Sequence, residues 1–355
     1  MKKLLKLQTL LLMLVVSSAL ILASCKDDDD EIVQGDKTEL NALIAEAEAI
    51  AAAATTADYP QAAITAYNST LTTIKAAAAT PLTQAEIDNL EIQLTVAMNT
   101  LDSQAYGFID ETLYLNAGWH FDEGTGTTAT AYSTVKHVGT FFRGNTVILG
   151  ADAMMPSWTE GVKGGKAVLF NKGAHLEVPY TTAFLPANIT ISVWVKPSEI
   201  YEHNYIVSQN YWTGYKLQTQ GGGKPFFTYK KVDGGIVDAD NELDASVKVN
   251  QWTHLVVSVN GTTKELKFYV DGLLTKTWTE SDKGIGPLTQ TLASPDPQPF
   301  IIGGVATDAE LAANFMEWTN ADNLGYFKGA IDELKIYNIA LADGQVSKLY
   351  NDEKP

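Results

Sequence analysis

The chain has 355 residues, of which 42 are Asp or Glu and 25 are Lys or Arg, so its formal net charge is −17. Nucleic acids and anionic lipid headgroups are poor partners for a protein of this charge, because like charges repel. The single cysteine excludes an intrachain disulfide, so the folded parts must rely on apolar cores. This length leaves room for two domains.

Residues 1–24 have the features of an export signal: a basic start, an apolar run from Leu10 to Ala23 and small residues before Cys25. The apolar run is too short to cross a bilayer of ~30 Å, which needs about 20 apolar residues. The Leu-Ala-Ser-Cys ending resembles the lipobox of bacterial lipoproteins, in which cleavage precedes the cysteine and the cysteine is acylated. We therefore predict a signal peptide over 1–24 and lipidation of Cys25; the alternative is a reactive or intermolecular thiol.

An acidic tether follows over 25–36, with Lys26 and four aspartates directly after the cysteine. We expect it to be extended, because its like charges repel and nothing in it can be buried. The Lys-Asp run resembles the export tag that directs lipoproteins of some Gram-negative bacteria to the outer face of the outer membrane. We expect an outer-membrane protein that faces the cell exterior and contacts the membrane through its lipid anchor alone. The alternative is a solvated tether without an address function.

Residues 37–104 are rich in Ala, Leu, Ile, Glu and Gln and contain no glycine. Apolar residues recur at helical spacing in three segments, which predicts a small three-helix bundle. Asp36 with Glu39, and Thr83 with Glu86, fit capping boxes at the starts of the first and third helices. The pattern resembles the FIVAR-type three-helix repeats found as spacers in bacterial surface proteins. We therefore expect this part to be a spacer module.

The sequence changes in character over 113–355, after a predicted linker at 105–112: glycine, aromatic and β-branched residues become frequent, and short alternating segments recur. Alternation with a period of two predicts strands with one buried face. The pairs Asn260-Gly261 and Asp271-Gly272 lie between such segments and favour hairpin turns, since both positions tolerate positive φ. About a dozen strands predict two packed antiparallel sheets.

Six motifs in this part of the chain resemble the laminin-G-like jelly roll of the concanavalin A-like lectin/glucanase superfamily, and they occur in that family's order. They lie at residues 119–126, 164–170, 189–197, 251–255, 268–272 and 329–338. The resemblance implies a mainly β fold, with a two-sheet antiparallel jelly-roll sandwich after the three-helix bundle, and a lectin-like function. The chain departs from the family by an insertion of about twenty residues between Val305 and Gly325, where an individual function can lie.

Carbohydrate recognition needs flat apolar faces and planar hydrogen-bonding groups, so aromatic residues mixed with Asn, Asp and Gln on loops are the composition expected of a sugar site. Two stretches meet this description, one around 201–212 and the other in the insertion. The candidate ligand-binding residues are Tyr205, Tyr211, Trp212, Trp318, Asn320 and Asp322. The alternative is that these aromatic side chains pack the loops onto the sandwich.

The family resemblance also implies a structural Ca²⁺ held by the final Ile-Asp-Glu strand, an acidic residue near the first strand and backbone carbonyls. Asp332 is the metal candidate on the final strand, and Asp122 or Glu123 is the candidate near the first. Ca²⁺ takes six to eight oxygen ligands, so one carboxylate does not make a site. We expect no cofactor besides this ion.

A glycoside hydrolase is the alternative on the same fold. Hydrolysis needs two carboxyl groups about 5 Å apart for retention, or about 6.5–9.5 Å apart for inversion. The Glu-x-Asp-x-Glu strand of the jelly-roll glucanases is absent, and so are nucleophile-elbow, zinc-protease and phosphate-loop motifs. The nearest pattern is the acidic stretch 238–244, whose order differs and which we interpret as a solvated hairpin end. No catalytic residue is predicted.

Together these features predict a non-catalytic cell-surface lipoprotein that binds carbohydrate, either polysaccharide or the glycans of a glycoprotein. The lectin-like motifs and the absence of a catalytic carboxylate pattern favour capture over hydrolysis. The alternatives are a glycoside hydrolase and an adhesin that binds a protein partner.

Overall fold

The structure is a computed structural model, and it describes residues 34–56, 58–292, 297–314 and 325–355. Cys25 and the predicted signal peptide lie outside these residues, as do Trp318, Asn320 and Asp322 of the insertion. Within the described ranges, no helix is long and apolar enough to cross a membrane. Contacts divide the chain into two units, a helical unit (residues up to Ala54 with Ile64–Asn99) and a β unit (Thr55–Ala63 with Thr100–Pro355).

The three predicted helices are confirmed as α1 (Thr38–Ala53), α2 (Gln61–Ala78) and α3 (Gln84–Ser103). Their apolar stripes meet in a small core, because residues three and four apart share one face of a helix. The buried residues of this core include Leu40, Ala47, Tyr67, Ile74, Ile87 and Leu94. The hydroxyl of Tyr67 donates to the carbonyl of Ala47 at 3.0 Å, which satisfies the polar end of a buried ring.

The two predicted capping boxes have different outcomes. Thr83 and Glu86 exchange hydrogen bonds at the start of α3, with 2.8 Å between Thr83 N and Glu86 Oε2, as predicted. Asp36 does not pair with Glu39, because its carboxylate accepts from Thr38 N at 2.9 Å and its own N–H donates to Gln84. The N-cap residue of α1 is therefore Lys37.

The segment 105–112, predicted as a linker, makes specific contacts with the β unit. The carbonyl of Phe108 accepts from the side chain of Gln345 at 2.9 Å. Asp110 caps the short helix α4 (Glu111–Tyr114) through Leu113 N. A segment whose backbone and side chains are hydrogen-bonded in this way belongs to the folded domain.

The β unit is a sandwich of two eight-stranded antiparallel sheets, as predicted. The first sheet consists of β1 (Leu115–Trp119), β4 (Ser157–Glu160), β5 (Lys166–Phe170), β7 (Ile189–Pro197), β12 (Thr253–Asn260), β13 (Glu265–Val270), β14 (Leu273–Thr279) and β16 (Gly329–Tyr337). The second consists of β2 (Thr128–Thr130), β3 (Val138–Phe142), β6 (His175–Val178), β8 (Asn204–Gln209), β9 (Tyr215–Thr219), β10 (Pro225–Lys230), β11 (Ile236–Asp240) and β15 (Phe300–Ile302).

Strand order in the first sheet is β14-β13-β12-β7-β16-β5-β4, with β1 also paired to β16, and in the second sheet it is β11-β10-β9-β8-β15-β6-β3-β2. Alternate residues of every long strand point between the sheets, where they form one apolar core. Stacked rings lie at its centre, with Phe184 4.7 Å from Phe300 and 6.5 Å from Trp119 between ring centroids.

Both predicted hairpins form, but their turns differ. Asp271 and Gly272 join β13 to β14 with φ of 49° and 75°, the backbone that the dipeptide predicted. Between β12 and β13, Asn260 pairs with Glu265 across a four-residue loop in which Lys264 has φ of 57°. The Asn260 side chain accepts from the backbone of Thr262, so it caps the longer loop.

Short helices cover both outer faces of the sandwich. On the first sheet, α8 (Asp343–Glu353) packs Val346 and Leu349 against Tyr269 and Tyr337. On the second sheet, α7 (Asp308–Asn314) joins a small apolar cluster around Leu311. The remaining helical turns are α5 (Thr146–Leu149) and α6 (Glu280–Lys283). The outer face of the second sheet is left partly open beside this cluster, and it carries the candidate site.

Candidate functional site

A row of polar side chains crosses four strands on the outer face of the second sheet. Directly paired residues of antiparallel strands point to the same side. Ser208 on β8 pairs with Lys216 on β9, Lys216 with Thr228 on β10, and Thr228 with Asp238 on β11. Their sequence neighbours, such as Leu217, point into the core between the sheets. The row therefore faces outward.

Lys216 is at the centre of this row and is unusually buried for a lysine, with 3% of it exposed. Its Nζ lies 2.9 Å from Gln218 Oε1 and 2.9 Å from Thr228 Oγ1. The hydroxyl of Thr228 in turn donates to Asp238 Oδ1 at 2.6 Å. Burial lowers the pKa of Lys216 to about 8, although the negative charge of Asp238 opposes this shift.

Three aromatic rings surround the Lys216 ammonium. Nζ lies 5.3 Å from the ring centroid of Tyr205, 5.1 Å from Trp212 and 5.3 Å from Phe226, within the range of cation–π attraction. Trp212 and Phe226 are half-buried, and Asp238 is exposed. The site is thus accessible along a border formed by two rings and one carboxylate. We call Tyr205, Trp212, Lys216, Gln218, Phe226, Thr228 and Asp238 the Lys216 site.

Strand alternation and one strained loop position these groups. In β9, Tyr215 and Leu217 point inward, so Lys216 and Gln218 point outward. Trp212 follows β8 in a tight 3₁₀ turn (Tyr211–Thr213), in which Tyr211 has φ of 40° and which Asn210 precedes with φ of 50°. Non-glycine residues in this region cost about 1–3 kcal/mol each and cluster at ligand sites.

The glycine-rich connection between β9 and β10 keeps these two strands in register. Gly222 and Gly223 have φ of 83° and 76°, a conformation that disfavours other residues. A Cβ on Gly223 would lie 2.4 Å from the carbonyl oxygen of Val247. This tight turn pairs Phe226 with Gln218 and Thr228 with Lys216, which builds the floor of the site.

The predicted ligand-binding residues within the described ranges have different surroundings. Tyr205 and Trp212 lie at the Lys216 site, which brings two of the predicted residues together. Tyr205 is nevertheless fully buried, and Tyr211 packs with Leu311 while its hydroxyl donates to Glu310 at 2.5 Å. Packing of the loop onto the sandwich, the alternative stated above, thus describes Tyr205 and Tyr211 well. Trp212 retains exposed surface.

Sequence reasoning missed Lys216, Gln218, Phe226 and Thr228. A usable signal was present, because the run 215–219 alternates aromatic or aliphatic residues with Lys and Gln. A lysine in the middle of such a strand must place its charge on the outward face. What the sequence does not contain is the pairing of four strands, which sets Lys216 beside Thr228 and Asp238.

The acidic stretch 238–244 divides between a strand and a loop. Asp238 and Asp240 both pair across to β10, with Thr228 and Phe226, so both point outward from the edge strand β11. Two residues along a strand have Cα atoms about 6.6 Å apart. Asp240 Oδ1 also accepts from Glu242 N at 2.7 Å, which caps the loop that follows.

The two metal candidates contact the same turn from both sides. Asp332 Oδ2 accepts from Val162 N at 2.8 Å, and Asp122 Oδ1 accepts from Lys166 N at 2.7 Å. A Cβ on Gly165 would lie 2.1 Å from Asp122 Oδ1, so glycine is needed for this close approach. Burial raises the pKa of Asp332 to about 7, and the charges of Glu333 and Asp122 add to the shift.

Carboxylate oxygens are ligands that a hard cation takes, and Asp332 and Asp122 both contact this turn. In the part of the chain that the structure describes, no group of three His, Cys, Asp or Glu side chains is arranged to hold a metal. A Ca²⁺ here would thus take most of its oxygens from carbonyls and water.

A separate cavity of about 650 Å³ lies beside α8, and its walls include Glu111, His120, Tyr132, Lys335 and Glu353. The ring of His120 stacks on Tyr132 with 3.9 Å between centroids. Lys335 contacts Glu353, and Glu111 accepts from the hydroxyl of Tyr132. Because these polar groups bind one another, we interpret them as fastening α8 and the segment 105–112 to the first sheet.

Comparison with known proteins shows one family match. The model described as "Concanavalin A-like lectin/glucanases superfamily" matches residues 170–347. This range contains β8 to β11 and therefore the whole Lys216 site. No curated protein matches the chain.

Several solved structures are weakly similar. Domain 4 of AbnA, a GH43 extracellular arabinanase from Geobacillus stearothermophilus in complex with arabinotriose, is 20% identical, with a TM-score of 0.46, over 66% of this chain and 98% of that chain. The receptor-binding domain of botulinum neurotoxin mosaic serotype C/D is 14% identical, with a TM-score of 0.48, over 69% of this chain and 52% of that chain. This chain thus spans about half of that neurotoxin domain. Similarities of this strength do not indicate what this chain binds.

Proposed function

Because this chain belongs to the concanavalin A-like lectin/glucanases superfamily, we propose that it is a carbohydrate-binding protein whose glycan occupies the Lys216 site. One observation carries the proposal: half-buried aromatic rings lie beside amide, ammonium and carboxylate groups on the outward face of the second sheet. Trp212 and Phe226 supply the rings, and Asp238 supplies an exposed acceptor.

The chemistry of a sugar matches this arrangement. A pyranose presents an apolar face of C–H groups, which packs on an aromatic ring, and a border of hydroxyls, which need donors and acceptors in fixed positions. Gln218 and Thr228 are held by the Lys216 ammonium, so the polar groups are positioned before a ligand arrives. Such preorganisation reduces the entropy lost on binding.

Binding of the purified protein to a panel of polysaccharides tests the proposal directly. We expect retention in affinity electrophoresis on at least one glycan, confirmed by calorimetry. Trp212→Ala should weaken binding about tenfold, since ring contacts are worth about 0.5–1.5 kcal/mol beyond their buried area. Tyr106→Ala is the matched control, because Tyr106 is 61% exposed and lies outside the site. Equal loss in both variants, or no retention on any glycan, would contradict the proposal.

An inverting glycoside hydrolase is the second candidate, and one observation favours it. Asp238 and Asp240 share the outward face of β11, where the rise of a strand sets their Cα atoms about 6.6 Å apart, and inversion needs two carboxyl groups about 6.5–9.5 Å apart. The hydrogen bond from Glu242 N to Asp240 weighs against free movement of one carboxylate. Release of reducing ends that is abolished by Asp238→Asn and by Asp240→Asn would establish hydrolysis, whereas binding without product release would exclude it for the glycans tested.

A protein partner is the remaining alternative for a surface adhesin. Removal of glycans from a captured glycoprotein separates the two cases. Binding that survives complete deglycosylation would favour protein recognition over the carbohydrate site.

We also propose that the mature chain is a lipoprotein anchored through Cys25 and displayed on the outer face of the outer membrane. The lipobox-like residues 22–25 and the Lys-Asp run after them support this. Cys25→Ser should abolish incorporation of an alkyne-labelled fatty acid and release the protein from membranes. Replacement of Asp27–Asp30 by alanine should reduce digestion of the protein by protease added to whole cells. Unchanged digestion would mean that the aspartate run is a tether without a role in export.

The three helices fit the role of a spacer between the anchor and the β unit. Their buried positions are occupied mainly by Ala, Leu and Ile, with the Tyr67 hydroxyl bonded to a carbonyl, and their exposed positions are mostly polar or Ala besides Ile92 and Val96. We propose no separate binding function for them.

For calcium, we propose Asp332 and Asp122 as the carboxylate ligands, with carbonyls of the turn 161–166 completing the set. When bound, the ion would neutralise two carboxylates that now face the same turn. Its role would be structural, because the turn lies at the junction of β4, β5 and β16.

A further inference from the structure

We infer that the Lys216 site takes a neutral stretch of glycan and discriminates against uronic acids and other acidic sugars. This inference rests on the proposed function, since it concerns the ligand of the same site. Its basis is that the charged groups of this face already compensate one another.

The outward face of β9 to β11 carries two cations and two anions. They are Lys216, Lys230, Asp238 and Asp240, placed there by the pairing of the three strands. Lys216 is linked to Asp238 through the Thr228 hydroxyl, by bonds of 2.9 and 2.6 Å. A ligand without charge leaves this balance intact.

Groups on neighbouring elements carry both signs of charge, because Lys283 on α6 donates to the carbonyl oxygen of Asp238 at 3.2 Å. Glu177 on β6 lies three strand spacings, or about 14 Å, from Lys216 and contacts His175, so its charge is screened at the site. Glu310 on α7 lies within hydrogen-bond distance of Tyr211, next to Trp212 in the chain. An acidic sugar would thus add a negative charge to a face whose cations and anions already compensate one another.

Lys216 and its indirect partner Asp238 also differ in accessibility. The Lys216 ammonium is enclosed by rings, whereas the Asp238 carboxylate is exposed. An incoming carboxylate meets Asp238 before it meets Lys216. Two of the three N–H donors of the ammonium are already used by Gln218 and Thr228, so an incoming carboxylate has at most one donor available to it there.

The net charge of −17 adds a long-range repulsion, which must be separated from the local effect. At an ionic strength of about 0.15 M, interactions between exposed charges are screened over ~8 Å. Discrimination that persists at this salt concentration therefore reports the charges of the site itself.

Matched pairs of polysaccharides test the inference. Cellulose, β-mannan and galactan oligosaccharides are each compared with the derivative whose primary hydroxyls have been oxidised to carboxylates, so that the paired ligands differ at C6 alone. In 0.15 M salt we expect the neutral member of any bound pair to bind at least tenfold more tightly. Equal or tighter binding of the carboxylated member would overturn this inference and leave the proposed function standing. Binding of neither member in any pair would count against the proposed function itself, and the inference would fall with it.

Charge-removal variants identify the source of the discrimination. Asp238→Asn should narrow the ratio between neutral and acidic ligands several-fold. Glu39→Gln removes the same charge from an exposed position on α1 and is the matched control. An equal change in both variants would assign the effect to net charge and overturn the inference. A loss of acidic-sugar binding in Lys216→Met, with the neutral partner bound as before, would also overturn it.

Discussion

Lys335 on β16 and Glu353 in the last turn of α8 form a buried ion pair, with 2.7 Å between Nζ and Oε1. Trp194 donates its indole N–H to the other carboxylate oxygen of Glu353 at 2.9 Å. Lys335 also contacts Glu333, so a single ammonium lies between two carboxylates. These contacts fasten the C-terminal helix to the outer face of the first sheet.

Lys335→Met should destabilise the β unit by about 3–5 kcal/mol, because it leaves Glu333 and Glu353 without their buried cation. Urea unfolding followed by tryptophan fluorescence measures this loss. Lys267→Met is the control: Lys267 pairs with Asp343 at 3.2 Å in a partly exposed position, and its loss should cost less than about 1 kcal/mol. Similar small losses in both variants would show that the buried pair contributes little.

Because of the titration of Lys216, the free energy of unfolding should increase as the pH rises from 8 to 10. Its pKa is about 8 in the folded chain, whereas a lysine in an unfolded chain titrates near ~10.4. Between these values the unfolded chain binds one more proton than the folded chain, so the free energy of unfolding increases with pH. Relative to Lys216→Met, the wild type should gain about 2–3 kcal/mol over this interval.

Urea titrations of both proteins at pH 8, 9 and 10 measure this gain. Burial raises the pKa of the neighbouring Tyr205, which therefore remains neutral over the interval and does not mask the effect. If the free energy of unfolding changes with pH to the same extent in both proteins, Lys216 has the same pKa in the folded and the unfolded chain.

The sequence predicts the elements of this fold well, because their signals are local. The alternation of β7 and the apolar stripe of α2 each depend on residues within one element, and both elements are found. The one buried face predicted for β7 was wrong, because its other face, with Trp194, is buried as well. The loop after Asn260 shows where this fails. The dipeptide Asn-Gly favours a two-residue turn, but the Asn260 side chain caps a four-residue loop instead.

The candidate site is less predictable, because it depends on contacts between distant strands. Trp212 was identified because its loop mixes aromatic and amide residues. The role of Lys216 depends instead on Thr228, which is 12 residues farther along the chain, and on Asp238, which is another 10 residues beyond Thr228. Tyr205 was predicted to be a ligand-binding residue on a loop, but it lies in strand β8 and is fully buried. Aromatic residues near a loop cannot be divided into core and surface until the sheets are assembled.

Calcium should raise the melting temperature of the wild type, and EDTA should lower it, if Asp332 and Asp122 hold an ion. A ligand that binds only the folded state stabilises it in proportion to the logarithm of its concentration. Asp332→Asn should remove the response, whereas Asp233→Asn, at an exposed carboxylate elsewhere, should retain it. Differential scanning calorimetry with and without 1 mM-range Ca²⁺ measures the shift, and an identical melting temperature in both conditions would exclude a structural calcium.

His254 should make the protein sensitive to acid. It is fully buried, its Nε2 lies 2.8 Å from Ser192 Oγ, and burial together with the charge of Lys335 lowers its pKa to about 3. An unfolded histidine titrates near ~6.5, so below that pH the unfolded chain binds the extra proton and stability falls on acidification. Between pH 7 and 4.5 this loss of stability amounts to about 2–3 kcal/mol.

Two variants test the origin of the acid sensitivity. His254→Gln, which can still bond to Ser192 but cannot be protonated, should flatten the dependence of the free energy of unfolding on pH in urea titrations. His120→Gln should remove a gain in stability on acidification near neutral pH, because the hydrogen bond to Glu333 raises the pKa of His120 above the unfolded value, and this gain is complete below ~6.5. An unchanged slope in His254→Gln would assign the acid sensitivity to other groups.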